Sequence, residues 1–281
     1  MSLRIGIFTV PDASHPAATI EQIVVADEAG LDLVGVQDHP YQRRFLDTWT
    51  LLSYAAARTE RIVLVPDVVN VQLRQPAVLA KAAASLDLLS GGRVEMGIGA
   101  GGFSEAIAAM GGPGLSGKES VDAMVEAAQV MRLFWSGERS ITFEGEHHRV
   151  KGAHPGPEPA HPIGLWLGAY GPRMIRLTGE IGDGWLPSLG SHYLSEDDVK
   201  ELQPKIDEAA TKAGRDPGEI ERAVNVMDLP GDSSSMADEL ARLASELRMT
   251  SLFVGVPDED PVGFIRRLGE EVAPRATELA A

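Results

Sequence analysis

The sequence predicts an α/β protein, a (β/α)8 TIM barrel, and three observations carry that expectation. Short β-branched runs alternate with longer Ala-rich amphipathic stretches along the 281 residues, eight pairs in all, as repeated βα units around parallel strands require. The punctuation agrees: Gly30, Gly91 and Gly214 fall where a helix C-terminus wants a left-handed residue, and Pro16, Pro76, Pro172 and Pro261 fall near helix starts. A doubly wound dinucleotide fold would need a glycine-rich phosphate turn after the first strand, which ends instead in Thr9-Val10-Pro11-Asp12. The cluster Gly97-Ile98-Gly99-Ala100-Gly101-Gly102 comes with the fourth strand, and no spaced acidic residue on a fifth strand follows it.

The elements follow in order. A strand over 4–9 leads to a helix over 16–29, a second strand over 33–37 to a helix over 47–58, and a third over 62–66 to a helix over 76–89. The fourth strand, 94–99, is followed by a helix over 119–134. Between 136 and 162 the alternation breaks. Ile141-Thr142-Phe143, Glu144-Gly145 and His147-His148-Arg149-Val150 form a small hairpin, and His154 to Pro159 a proline-stiffened loop, so this stretch is an insertion within one domain spanning 1–281. Strands over 164–168, 184–187, 222–227 and 251–256 then pair with helices over 172–181, 196–213, 236–247 and 261–270.

Composition narrows the function. With 25 Lys+Arg against 41 Asp+Glu the net charge is −16, which repels phosphate backbones and anionic membranes, so neither nucleic acid nor a membrane is the expected partner. No apolar run approaches a bilayer span and the start has no signal-peptide pattern, which points to the cytoplasm. The absence of Cys excludes disulfides, thiolate nucleophiles and iron-sulfur clusters. No metal site is expected: His147 and His148 are neighbours on a strand and face opposite ways, and His154 and His161 lie in Pro-rich loop. There is no G-x-S-x-G nucleophile elbow. A small-molecule substrate remains.

In a barrel, ligands meet the C-terminal strand ends. The second strand ends in Gln37-Asp38-His39-Pro40, an imidazole beside a carboxylate, against the plainer reading that Asp38 caps a helix and His39 is packed. The third ends in Asp67-Val68-Val69-Asn70, polar residues in an apolar run that could equally form a turn. Gly99, Gly101 and Gly102 remove side chains where a flat ring or phosphate could approach the backbone. After the fifth strand, Gly168-Ala169-Tyr170-Gly171-Pro172-Arg173 opens a helix with a first-turn Arg, a geometry that suits an anion unless Arg173 is merely solvated.

These residues resemble the luciferase-like flavin and deazaflavin oxidoreductases from Arg4 to about Gly255. Four ordered stretches carry the resemblance: Ala26 to Asp32 leading to Asp38-His39-Pro40; Arg74 to Lys81; Leu86 to Arg93 running into the glycine cluster; and Gly168 to Arg173. Asp38-His39-Pro40, and the Gly-Pro-Arg turn followed by Leu177-Thr178-Gly179-Glu180-Ile181, are most similar to the branch that uses the deazaflavin coenzyme F420, the methylenetetrahydromethanopterin-reductase-like one. The resemblance implies hydride transfer, with His39 beside the reacting centre, Asp38 bonded to the ring, and Asp67-Val68 at a bulge whose non-prolyl cis peptide backs it. Asn70, Gly99, Gly101, Gly102, Gly168, Ala169, Gly171, Pro172 and Arg173 would complete the coenzyme site of a homodimer. The alternatives are a monooxygenase using reduced FMN and oxygen, and a non-catalytic flavin-binding barrel. Two departures stand out. Gly102-Phe103 occupies the place of a carboxylate in sugar-phosphate dehydrogenase members, which argues against a sugar phosphate. The net charge also obliges Arg43, Arg44, Arg74 and Arg173 to create a local positive field for a polyanionic coenzyme tail.

Overall fold

The computed structural model describes residues 3–227, 229 and 231–281. Its eight staves are parallel throughout. In chain order they are β1 (Arg4–Thr9), β2 (Leu33–Val36), β3 (Val63–Pro66) continued by β4 (Val69–Asn70), and β5 (Met96–Gly99), then β8 (Leu165–Leu167), β9 (Gly184–Trp185) continued by β10 (Ser188–Leu189), β11 (Glu221–Val226) and β12 (Ser251–Gly255). Hydrogen bonding runs β3-β2-β1-β12-β11-β9-β8-β5. Leu64 N–H donates to the Arg93 carbonyl at 2.8 Å and Glu95 N–H to the Leu64 carbonyl at 3.1 Å, which joins β3 to β5 and closes the ring. Closure leaves the barrel sheet without a free edge among the described residues.

The strands read as continuous apolar runs because both faces are covered. Even positions of β1 and odd positions of β2, β3, β11 and β12 point inward. There Leu33, Val65, Trp166, Leu186, Ala223 and Phe253 pack the barrel centre, while Ile5, Ile7, Val34 and Leu64 pack outward against the helices. Those helices are α1 (Pro16–Glu28), α2 (Thr48–Ala56), α3 (Pro76–Ser90), α4 (Ser104–Ala109), α5 (Gly117–Trp135), α6 (Pro172–Ile181), α7 (Glu196–Lys212), α8 (Ser233–Glu246), α9 (Pro261–Arg267) and α10 (Ala273–Ala280). Between α5 and β8, β6 (Ile141–Glu144) and β7 (Arg149–Ala153) form the antiparallel hairpin. Glu126 of α5 fixes its turn by accepting the N–H groups of Glu146, His147 and His148 at 2.8 Å each.

Two elements exceed the sequence expectation. The last helical stretch does not stop at 270: a π-helical turn, Leu268–Val272, carries it into α10, because Leu268, Val272 and Ala276 form one buried stripe at four-residue spacing. The loop after the glycine cluster also winds into α4, anchored by buried Ile107. Among the described residues no helix is long and apolar enough to cross a membrane.

The N-terminal end of the barrel is tied by buried charges. Asp27 accepts the N–H groups of Glu60, Arg61 and Ile62, and Asp87 those of Val94, Ala160 and His161. Arg93 donates to the carbonyls of Ala56, Thr59 and Ile62. These bonds satisfy backbone groups that the turns would otherwise leave unpaired.

Candidate active site

The C-terminal mouth has a glycine floor. Gly35, Gly97, Gly99 and Gly168 stand at inward positions near the ends of β2, β5 and β8. A Cβ on Gly99 would approach Val68 Cγ2 to 2.7 Å and one on Gly168 to 3.1 Å, so Val68 occupies the space that these glycines leave. The peptide bond between Asp67 and Val68 is cis. A Cβ on Gly35 would meet Asp67 Oδ2 at 2.8 Å, so glycine there admits the carboxyl group into the barrel. Asp67 is almost fully buried; it accepts from Asn225 Nδ2 at 3.3 Å through Oδ1, while its Oδ2 and Asn225 Oδ1 have no partner. Burial pushes the Asp67 carboxyl up to about 7.

Asp38, 3% exposed, does not cap a helix. Its two oxygens accept from Arg74 Nη2 at 3.0 Å and Nε at 3.3 Å, and Oδ2 also accepts the Asn70 N–H at 3.2 Å. The cap of α2 is Asp47, which accepts the Thr50 N–H and holds Arg74 from its other side at 2.7 Å. Asn70 Oδ1 in turn accepts the Gln72 N–H. The Gln72 side chain reaches Ala100 and Leu115, pinning the loop that contains Gly101 and Gly102. Gly101 has φ +85°, and a Cβ there would come within 2.9 Å of Gln72 Nε2.

His39 is half-buried. Its Nδ1 lies 2.9 Å from the Tyr41 hydroxyl, and the His39, Tyr41 and Phe103 rings sit 5.4 to 5.7 Å apart, two by two. Burial holds the imidazole below its usual range, opposed by the nearby Asp38 charge. Burial, then Asp38, push Tyr41 up to about 12. The Tyr41 hydroxyl can donate to Nδ1 or accept from it, and in the tautomer that carries its hydrogen on Nδ1 the ring keeps a lone pair at Nε2. His39 is a neutral group that, in this tautomer, can accept a proton at Nε2.

The luciferase-like monooxygenase family model matches residues 3–274. The chain belongs to the luciferase-like monooxygenase family. Among its curated relatives, an F420-dependent glucose-6-phosphate dehydrogenase of Beutenbergia cavernae is 33% identical over 94% of this chain and 79% of its own length. The same-named protein of Intrasporangium calvum is 33% identical over 80% of this chain and 69% of its own. Two solved structures share the fold. An F420-dependent secondary alcohol dehydrogenase superposes with a TM-score of 0.86 at 23% identity, covering 98% of this chain and 99% of that one. The coenzyme F420 dependent tetrahydromethanopterin reductase of Methanopyrus kandleri superposes at 0.82 and 22%, with the same coverage.

Within this luciferase-like barrel the sequence-predicted residues fall into two groups. Asp38, His39, Asp67, Val68, Asn70, Gly99, Gly101 and Gly168 gather at the ends of β2, β3, β4, β5 and β8. Gly102 and Gly171 border open space: a Cβ added at either would meet nothing within 4 Å. Ala169 is buried and its carbonyl accepts from Trp185 Nε1 at 2.9 Å. Pro172 opens α6, but Arg173 turns to α5, where it pairs with Asp122 and donates to the Lys118 carbonyl at 3.0 Å. Tyr41, Ser188 and Asn225 were not singled out by the sequence, and Phe103 was noted only beside Gly102 as a departure from the sugar-phosphate members. Asn225 carried a signal, a polar residue at an inward position between Val224 and Val226; its partner Asp67 lies 158 residues away.

Proposed function

We propose that the protein is an F420-dependent oxidoreductase that moves a hydride between this deazaflavin coenzyme and a small organic substrate. Curated relatives at 30–33% identity bear F420-dependent names, and the mouth fits the coenzyme. The observation that carries the reading is Val68 seated over Gly97, Gly99 and Gly168 with neutral His39 at the edge of the same mouth, an apolar support for a flat ring beside a group that can exchange a proton. Two buried polar atoms without partners, Asp67 Oδ2 and Asn225 Oδ1, remain beneath it.

When bound, the coenzyme supplies a ring carbon, in place of a flavin N5, that takes or gives the hydride. The chain supplies the rest. Val68 supports the ring, Arg74 holds Asp38 at the ring edge, and Tyr41 and Phe103 shield His39 from water. With the Nδ1–H donated to the Tyr41 hydroxyl, His39 Nε2 would take the proton from the substrate oxygen as the hydride leaves and return it in the reverse direction. Arg43, Arg44 and Arg173 give the phosphate-bearing tail its cations, beside the open turn at Gly171. The reading extends to a cytoplasmic homodimer: a chain without Cys needs no oxidising compartment, and Tyr54, Val78 and Leu89 are 55%, 68% and 86% exposed on α2 and α3.

Titration of F420 and FMN under one salt condition, followed by fluorescence, tests the coenzyme. F420 should bind at least tenfold more tightly, about 1.4 kcal/mol. The reverse preference, or oxygen uptake with reduced FMN, overturns the assignment in favour of the monooxygenase reading.

A further inference from the structure

The charges at the mouth are divided between two halves of the barrel. On one half, β2, β4, β5 and β8 lead into loops and helix starts that hold Arg43, Arg44, Arg74, Lys118 and Arg173 beside Asp38, Asp47, Glu105 and Glu119, five cations against four carboxylates. On the other, the loops after β1, β10, β11 and β12, residues 10–15, 190–195, 227–232 and 256–260, contain no Lys or Arg. Among the described residues they carry five carboxylates: Asp12, Asp232, Asp258, Glu259 and Asp260. The ring order places these four staves side by side, so the division is spatial and not only sequential. Asp12, Asp232 and Asp260 accept backbone N–H groups from Ser14, Ser235 and Gly263. Capping explains their presence without cancelling their charge.

The acidic half is also apolar at its rim. Val10, Tyr193 and Met227 are 45%, 52% and 37% exposed at the ends of β1, β10 and β11. Tyr170, 43% exposed, borders them and accepts the Ser188 N–H at 3.0 Å. On the inner face of β11, Asn225 is 3% exposed and leaves Oδ1 without a partner. A single buried polar acceptor under an apolar rim, in a negative field, suits a molecule with little polarity and no negative charge.

We infer that the anionic coenzyme tail lies along the β2–β8 half and that the second ligand enters from the β10–β1 half as an uncharged, mainly apolar molecule, not an anionic sugar phosphate. The inference rests on the proposed coenzyme reading for the first ligand; the charge division defines the second. Tyr193 and Met227 are its specificity-determining contacts.

Saturation-transfer NMR on the full chain, with and without F420, tests it with cyclohexanol and glucose 6-phosphate as probes at low ionic strength. F420 binding is followed separately by fluorescence in the same samples, so failure of the coenzyme reading is scored independently. Cyclohexanol should show transfer that falls about tenfold in Tyr193→Ala, as loss of an apolar contact surface implies, and that does not change with salt; glucose 6-phosphate should show none. Absence of a cyclohexanol signal, insensitivity of that signal to Tyr193→Ala, or a glucose 6-phosphate signal that strengthens as salt falls overturns the inference.

Discussion

Asp67 and Asn225 meet at 3.3 Å although β3 and β11 stand four staves apart in the ring. Their hydrogen bond spans the barrel above the apolar layer of Val65, Phe253 and Ala223. It is possible because Gly35 leaves room for a carboxyl group where any side chain would collide with it. The contact is a lone hydrogen bond for an acid removed from water, so burial prevails and the proton is retained up to about pH 7.

That retained proton sets a pH dependence of stability. The unfolded chain ionises Asp67 near 3.8 and the folded chain near 7, so between these values the folded state binds more protons and stability falls as pH rises. Each unit of separation corresponds to about 1.4 kcal/mol. Asp67→Asn should remove this slope, leaving the variant more stable relative to the parent at about pH 8 than at about pH 5 by up to a few kcal/mol. Urea unfolding of both proteins at the two pH values measures it; an equal difference at both would show that Asp67 is ionised throughout.

His39 should matter for turnover and not for folding. Its ring is held below the usual imidazole range by burial, so the neutral form prevails at neutral pH and activity should decline only as pH falls below about 6.5. Replacement by Asn should lower kcat by roughly 10² to 10⁴ while leaving coenzyme affinity and Tm nearly unchanged. It should also abolish the acid limb of the pH profile. A large loss of Tm with full specific activity in the folded fraction would make His39 a packing residue.

Arg74 carries a stability prediction. It is the only cation within hydrogen-bonding distance of Asp38 among the described residues, and Asp38 is 3% exposed. Arg74→Ala should cost about 3 to 5 kcal/mol, the range for leaving a buried charge unpaired. Adding Asp38→Asn should recover part of the loss in thermal denaturation. A double variant no more stable than the single one would mean that solvent already screens the pair.

How much of this could be read from the chain follows from the distance over which each feature acts. The helix ends at Gly30, Gly91 and Gly214 are local, and all three adopt the left-handed φ, at 86°, 76° and 74°. The family-like stretches were legible too, but they mix two roles. Asp27 and Asp87 within them tie the N-terminal turns, and Gly179 lets α6 pack closely on α7, where a Cβ would meet the Ile206 carbonyl at 2.4 Å. Asp38-His39-Pro40, Arg74, the glycine cluster and the Gly168 turn lie at the mouth. What periodicity could not give were partners from other staves: Phe103 for His39, Asn225 for Asp67 and Arg74 for Asp38. The Arg173 case shows the same limit, because a first-turn Arg does have an anion beside it, Asp122, brought from α5 by the fold.

That pairing makes the test of Arg173 two-sided. The Lys118 side chain and then that of Arg173 contact Asp122 and hold its carboxyl down to about 2, so the carboxylate is charged at every working pH and competes with a coenzyme phosphate for the guanidinium. If Arg173 turns to the phosphate on binding, Arg173→Ala should weaken F420 binding by about 1.5 to 3 kcal/mol, the range for a hydrogen bond to a charged group. The loss should shrink as salt rises. Asp122→Asn should act in the opposite direction, tightening F420 binding by freeing Arg173 and removing a negative charge near the Gly171 turn. Fluorescence titration of the two variants at low ionic strength decides. Opposite signs place the phosphate at the start of α6, whereas no change in either variant leaves Arg173 as a strut between α5 and α6 and moves the phosphate toward Arg43 and Arg44.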